Sequence, residues 1–242
     1  MKKMFLATAV LALLCVSVTV HAYVWNFTNA ADYYVDGDWW TSDGIYAPVI
    51  TEGVGAYVPA RPWINADDNP PYGSDWASVF ARVNTQAVGL GVGDILGGGF
   101  TLSGMNQPDA VYGSLYLSPT GGSGATVLIN ISPMVRIGSD GNYIYTFDLD
   151  TAATVLVGSP NWVYAYPFGG DFGDAIAWVN ATAYSGTYAA FFGPQIGMSN
   201  TSGTTFTVTE ISLNSSVPEP ATMLLLGLGL AGLAGARRKF KK

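Results

Sequence analysis

The sequence predicts an all-β fold, an antiparallel β-sandwich or jelly roll, on three observations. Short runs rich in β-branched and aromatic residues recur through residues 23–216, separated by Gly, Pro, Asn and Asp turn signals. Only one stretch in this region carries the spacing of an amphipathic helix, which argues against alternating βα units. The single cysteine, Cys15, lies near the N-terminus, so these 194 residues must hold together by burying apolar surface and not by disulfides.

The elements follow in order. Met1, Lys2 and Lys3 precede an uncharged apolar run over 5–20 that ends at His21 and Ala22. Charged, apolar and small-residue parts in that order make residues 1–22 a signal helix, cleaved after Ala22 and handed to the Sec translocon. Leu14 before Cys15 argues against a lipid-attachment signal. Strands are predicted over 23–27, 110–117, 126–131, 143–149, 154–157, 162–166, 175–179, 188–192 and 205–213. Ser139-Asp140-Gly141-Asn142 reads as a hairpin turn, with Gly141 free to take positive φ. A short helix is expected over 74–83, where Trp76, Val79, Phe80 and Val83 follow helical spacing behind Ser74. Glycine-rich stretches at 89–99 and 121–124 are followed by no lysine, so they read as loops, bends or close strand approaches and not as phosphate cradles. The closing run alternates through Phe206 and Val208, then through Ile211 and Leu213, a change of phase near Glu210 that marks a bulge or two half-strands.

Charge restricts the chemistry. Between residues 23 and 216 only Arg61, Arg82 and Arg136 stand against sixteen carboxylates, a net charge of −13. Such a surface repels nucleic acid and anionic membrane. The same stretch has no His, Cys or Lys, which removes Ser-His-Asp and Cys-His nucleophiles, Schiff-base lysines and imidazole-held zinc. Carboxylate chemistry remains, and a glycoside hydrolase would need two suitably separated carboxylates, of which only Glu52 and Glu210 are glutamates. The expected protein is not an enzyme.

Two sets of side chains are candidates for binding. Aromatic residues make up 30 of the 194, and Trp39, Trp40 and Trp63 stand near Asp36, Asp38 and Asp67. Exposed rings stack on sugars while carboxylates hold hydroxyls, so these three tryptophans are candidate carbohydrate-binding residues; the plainer alternative is that the aromatics fill a β core. Asp32, Asp36, Asp38 and Asp43, with Gly37 and Gly44, could wrap a calcium ion, with Asp36, Asp38 and Asp43 as candidate ligands. The plainer alternative is a solvated acidic loop. Asp67-Asp68-Asn69 and Asp148-Leu149-Asp150 are weaker versions of the same pattern, the last with both aspartates on one face of a strand.

The C-terminus carries the most specific pattern. Pro218, Glu219 and Pro220 form an extended step. Sixteen uncharged residues follow at 221–236, then the basic stop Arg237, Arg238, Lys239, Phe240, Lys241, Lys242. As a helix these sixteen reach roughly 24 Å and, with snorkelling basic ends, make a transmembrane helix whose basic end stays cytoplasmic. Residues 217–242 resemble the PEP-CTERM sorting domain of exopolysaccharide-producing Gram-negative bacteria. The resemblance implies processing by an exosortase at Pro218, Glu219 and Pro220, a transient inner-membrane anchor, and delivery to the cell surface or extracellular matrix. The closing run at 205–213 is similar to terminal strands of galactose-binding and carbohydrate-binding jelly rolls. Together these imply signal peptide 1–22, exported domain 23–216 and sorting signal 217–242. The function expected is a biofilm-associated module that binds extracellular polysaccharide. A matrix protein with no defined ligand and a carboxylate glycoside hydrolase are the alternatives.

Overall fold

The computed structural model describes residues 20–37, 48–59, 76–83, 90–120, 126–158, 163–164, 170–182, 188–197 and 204–216. The chain divides into two units, Ala22–Asn214, which holds nearly all of the β-structure, and Met1–His21 with Ser215–Lys242. The described strands are β1 (His21–Trp25), β2 (Tyr33–Gly37), β3 (Val49–Thr51), β4 (Gly55–Val58), β5 (Trp76–Arg82), β6 (Ile95–Ser103), β7 (Val111–Pro119), β8 (Val127–Ile131), β9 (Val135–Ser139), β10 (Asn142–Asp148), β11 (Ala153–Val157), β12 (Val163–Tyr164), β13 (Tyr188–Gly197) and β14 (Phe206–Ser215). The α-helix α1 (Phe172–Ala181) is flanked by Asp171 and Thr182.

Two sheets result. The first has the order β3-β4-β14-β6-β10-β9, with β1 also pairing β14; the second has the order β12-β11-β8-β7-β13-β5-β2. Pairing is antiparallel along the second sheet and in the β3-β4-β14 and β6-β10-β9 pairs of the first. The expected all-β architecture is therefore present. Alternation sorts the side chains: in β8, Val127, Ile129 and Ile131 are buried while Leu128 and Asn130 are half-buried on the other face. The buried faces of both sheets meet in one core that includes Trp25, Phe100, Phe147, Phe192 and Phe206. Phe192 of β13 lies 6.4 Å from Phe100 of β6 and 5.3 Å from Phe147 of β10, joining one sheet to the other.

Several expectations need correction. Residues 76–82 form strand β5, not a helix, because β5 lies between β2 and β13 and is buried on both faces at Ser78, Val79, Phe80 and Ala81. Apolar residues on both faces erase the alternation of two and leave a pattern that mimics helical spacing. Residues 175–179, expected as a strand, belong to α1, whose buried Phe172, Ala175, Ile176 and Val179 recur at three and four residues. Asp171 caps the helix by accepting from the Asp174 N–H at 2.8 Å. Phe172 meets Phe147 edge to face at 4.9 Å and seats the helix on the core. Asp150 shares no strand face with Asp148: β10 ends at Asp148, whose Oδ1 accepts from the Asp150 N–H at 3.1 Å and the Thr151 hydroxyl at 3.0 Å, forming a turn.

Other expectations match. Asp140 and Gly141 join β9 to β10 with φ of 52° and 82°, both positive as a two-residue hairpin requires. Gly98 and Gly99 lie within β6, where a Cβ on Gly99 would stand 2.2 Å from the Tyr145 carbonyl oxygen, so this is a close strand approach. The change of phase in β14 is present: Phe206 and Val208 are buried, Thr209 and Glu210 are not, and Ile211 and Leu213 are buried again. No helix among the described residues is long and apolar enough to cross a membrane. Residues 1–19 and 217–242, and with them most of the expected signal helix and all of the transmembrane helix, lie outside the described residues.

Candidate functional site

The second sheet has two unlike faces. Ala81, Phe192, Leu115, Ile129 and Val155 stand opposite one another across β5, β13, β7, β8 and β11, and all are buried in the core. One residue along, Arg82, Phe191, Tyr116, Leu128 and Leu156 form the matching row on the outer face, each half-buried. Tyr34 of β2 stands next to this row, opposite Phe80, and is 36% exposed, whereas Phe80 and Ser78 on the same face are buried.

The aromatic groups of this row touch. Tyr34 and Phe191 lie 5.7 Å apart at 53°, and Tyr116 meets Phe191 at 6.0 Å and 61°. The Arg82 guanidinium carbon sits 5.8 Å from the Tyr34 ring and 5.6 Å from the Phe191 ring, a cation–π bracket. Its Nε donates to the Tyr33 carbonyl at 3.1 Å, which fixes the side chain over the sheet.

Beside the aromatic row runs a polar one. The Ser114 hydroxyl donates to Gln195 Oε1 at 2.7 Å and lies 3.1 Å from Asn130 Oδ1, the two contacts sharing one proton. Ser114 is fully buried and Gln195 is 8% exposed, while Asn130 is half-buried. Gln195 pairs in register with Ser78 and Tyr112. The Ser78 hydroxyl is closed off from solvent and makes no hydrogen bond. Burial pushes the Tyr112 phenol up to about 12.

In the seven strands of this sheet Asp36 and Arg82 are the charged residues. The acidic character of the chain is carried elsewhere. At the edge of the first sheet Arg136 pairs with Asp109 and lies 5.3 Å from the Tyr143 ring, and Asp109 raises its pKa further. The outer row can stack and hydrogen-bond, but it holds no pair of carboxylates for acid–base work.

The residues singled out from sequence fall differently. Trp39, Trp40, Trp63, Asp38, Asp43, Asp67, Asp68 and Asn69 lie outside the described residues. Asp36 is placed by its backbone alone, opposite Ser78. Among the described residues no three His, Cys, Asp or Glu side chains are grouped to hold a metal. Glu52 serves a turn, its Oε1 accepting from the Ala30 N–H at 3.0 Å, and Glu210 is exposed on β14. Pro218, Glu219, Pro220, Arg237, Arg238 and Lys239 also lie outside the described residues. Sequence reasoning did not single out the face built by Tyr34, Arg82, Tyr116, Asn130 and Phe191. The signals present were the doublet Phe191-Phe192, whose members a strand sends to opposite faces, and the absence of charge from the strand sequences at 111–119, 127–131, 153–157 and 188–197.

Residues 216–239 match the PEP-CTERM protein-sorting motif. The motif covers the Pro-Glu-Pro step, the apolar stretch and the first three residues of the basic stop. No curated protein matches the sequence. The chain thus carries an exosortase sorting signal, which marks it for export, for C-terminal membrane anchoring before processing, and for an exosortase as its processing partner.

Proposed function

We propose that the exported domain is a non-enzymatic carbohydrate-binding module that places this protein in the exopolysaccharide matrix at the surface of a Gram-negative cell. The observation that carries this reading is a surplus of aromatic rings outside the core. Trp25, Phe27, Phe100, Phe147, Phe172, Phe192 and Phe206 already fill the interior, yet Tyr34, Tyr116 and Phe191 stand on the opposite face of the second sheet. Rings that reach solvent offer flat apolar area to the C–H faces of sugars; on this face Tyr34 is 36% exposed, and Tyr116 and Phe191 are half-buried.

The strand order supports a jelly roll. Neighbours β4-β14-β6-β10 in one sheet and β5-β13-β7-β8 in the other are the order obtained when a long hairpin of eight strands folds over on itself. Trp39, Trp40 and Trp63 would add further rings to the binding surface. Retardation of the full chain in gels containing polysaccharide tests the reading, with Trp39→Ala and Trp63→Ala as variants. Retention by at least one polymer with no release of reducing ends is the expected result. Release of reducing ends would mean a hydrolase, and no retention by any polymer would reject binding.

A further inference from the structure

We propose that the folded sandwich restrains its own processing: the end of β14 must leave the first sheet before an exosortase can take up the Pro-Glu-Pro step. The premise is the sorting signal, and saccharide binding plays no part in it.

Spacing is the first observation. β14 runs to Ser215, and the sorting motif begins at residue 216. Val217 alone separates Ser216 from Pro218. At no more than about 3.6 Å per residue, Pro218 is held within about 11 Å of Ser215 by chain length alone, and Pro220 within about 18 Å. A domain of this size has a radius of gyration of about 16 Å. The enzyme must therefore reach a step tethered within about one domain radius of the end of a strand, with no linker between.

The second observation is that β14 is held up to its last residue. It lies between β6 and β4 and pairs also with β1. Ile211, Leu213 and Ser215 are each 0% exposed. From the other face the Thr209 hydroxyl donates to the Thr101 carbonyl at 3.3 Å and the Ser212 hydroxyl to the Gly99 carbonyl at 3.5 Å. A Cβ on Gly98 would stand 2.4 Å from the Ser212 carbonyl oxygen, so β6 and β14 approach closely there.

Proteolysis favours exposed backbone, and a chain still paired in a sheet has to open before it can be drawn into a cleft. Release of residues 213–215 lengthens the free chain by about 10 Å and brings Leu213 out of the core. When opening and closing are fast relative to cleavage, the rate follows the population of the open form. Exposure of one buried leucine lowers that population at least about tenfold. The membrane-held form is consequently long-lived because the domain above it is folded.

The test is a pulse-chase of the full chain in an exosortase-bearing Gram-negative cell, with the longer and shorter forms followed by mass and fractionation. Melting temperatures are recorded for every purified chain. Six Gly-Ser residues inserted between Ser215 and Ser216 should speed processing about tenfold and leave the melting temperature unchanged. Leu213→Ala should also speed it, and by more than Ile129→Ala, which hollows the same core from β8 of the other sheet. A spacer chain processed no faster than the parent overturns the proposal. So does Ile129→Ala matching Leu213→Ala at equal loss of melting temperature, because unfolding of the whole domain would then set the rate. If neither parent nor spacer chain yields a shorter form, processing itself falls and the restraint with it.

Discussion

Tyr33 shows how much one side chain can hold. Its ring stacks on Phe27 at 4.0 Å, and its hydroxyl accepts the Phe27 N–H at 2.6 Å. Phe27 has φ of 60°, a conformation non-glycine residues adopt at a cost. Tyr33→Phe leaves a buried N–H unpaired and should lower stability by about 1–3 kcal/mol in urea titrations at neutral pH. Burial pushes the phenols of Tyr33 and Tyr112 up to about 12, so the folded state keeps protons that the unfolded chain loses above about 10. Their contribution is complete below about pH 10 and fades toward pH 12; Tyr33→Phe should flatten that alkaline decline. Ser78 works in the opposite direction. Its hydroxyl is buried without a partner, so Ser78→Ala should raise stability by about 1 kcal/mol, and a lower melting temperature would contradict this.

At the scale of elements, legibility followed burial. The hairpin at Asp140 and Gly141 was readable because a two-residue turn demands positive φ, and the phase change in β14 because one of its faces is wet. Strand β5 was misread for the opposite reason: both faces are covered, and nothing in Trp76, Val79, Phe80 and Val83 separates a buried strand from a helix. The run 175–179 was too short to show its period without Phe172, which lies behind a glycine and a cap. β6 was hidden by its glycines, which permit the approach of β10. Gly99→Ala puts a methyl against the Tyr145 carbonyl and the Thr146 backbone, and should cost about 1–3 kcal/mol by thermal or chemical denaturation.

For the molecule as a whole, the destination was legible and the pairing of distant strands was not. Pro218, Glu219 and Pro220 sit together in sequence before an apolar run, so the sorting signal reads directly. Tyr34, Tyr116 and Phe191 meet only through strand registers joining residues from 46 to 109 positions apart, which no local pattern reports. Replacing Pro218, Glu219 and Pro220 with alanine should give a longer form held in the membrane fraction, seen by mass and fractionation; an unchanged mass and location would remove the processing role. A last consequence concerns time. β14 stands inside the first sheet, between β6 and β4 and paired also with β1, yet of the described strands it is the last to leave the ribosome and the last to cross the membrane. Until it arrives, β1 has no edge to pair with and the early segments wait unfinished. The sorting motif begins at residue 216, directly behind β14. An exosortase therefore meets its recognition sequence only after every strand of the sandwich has emerged, and the order of the chain makes completion of the fold and reading of the address successive events.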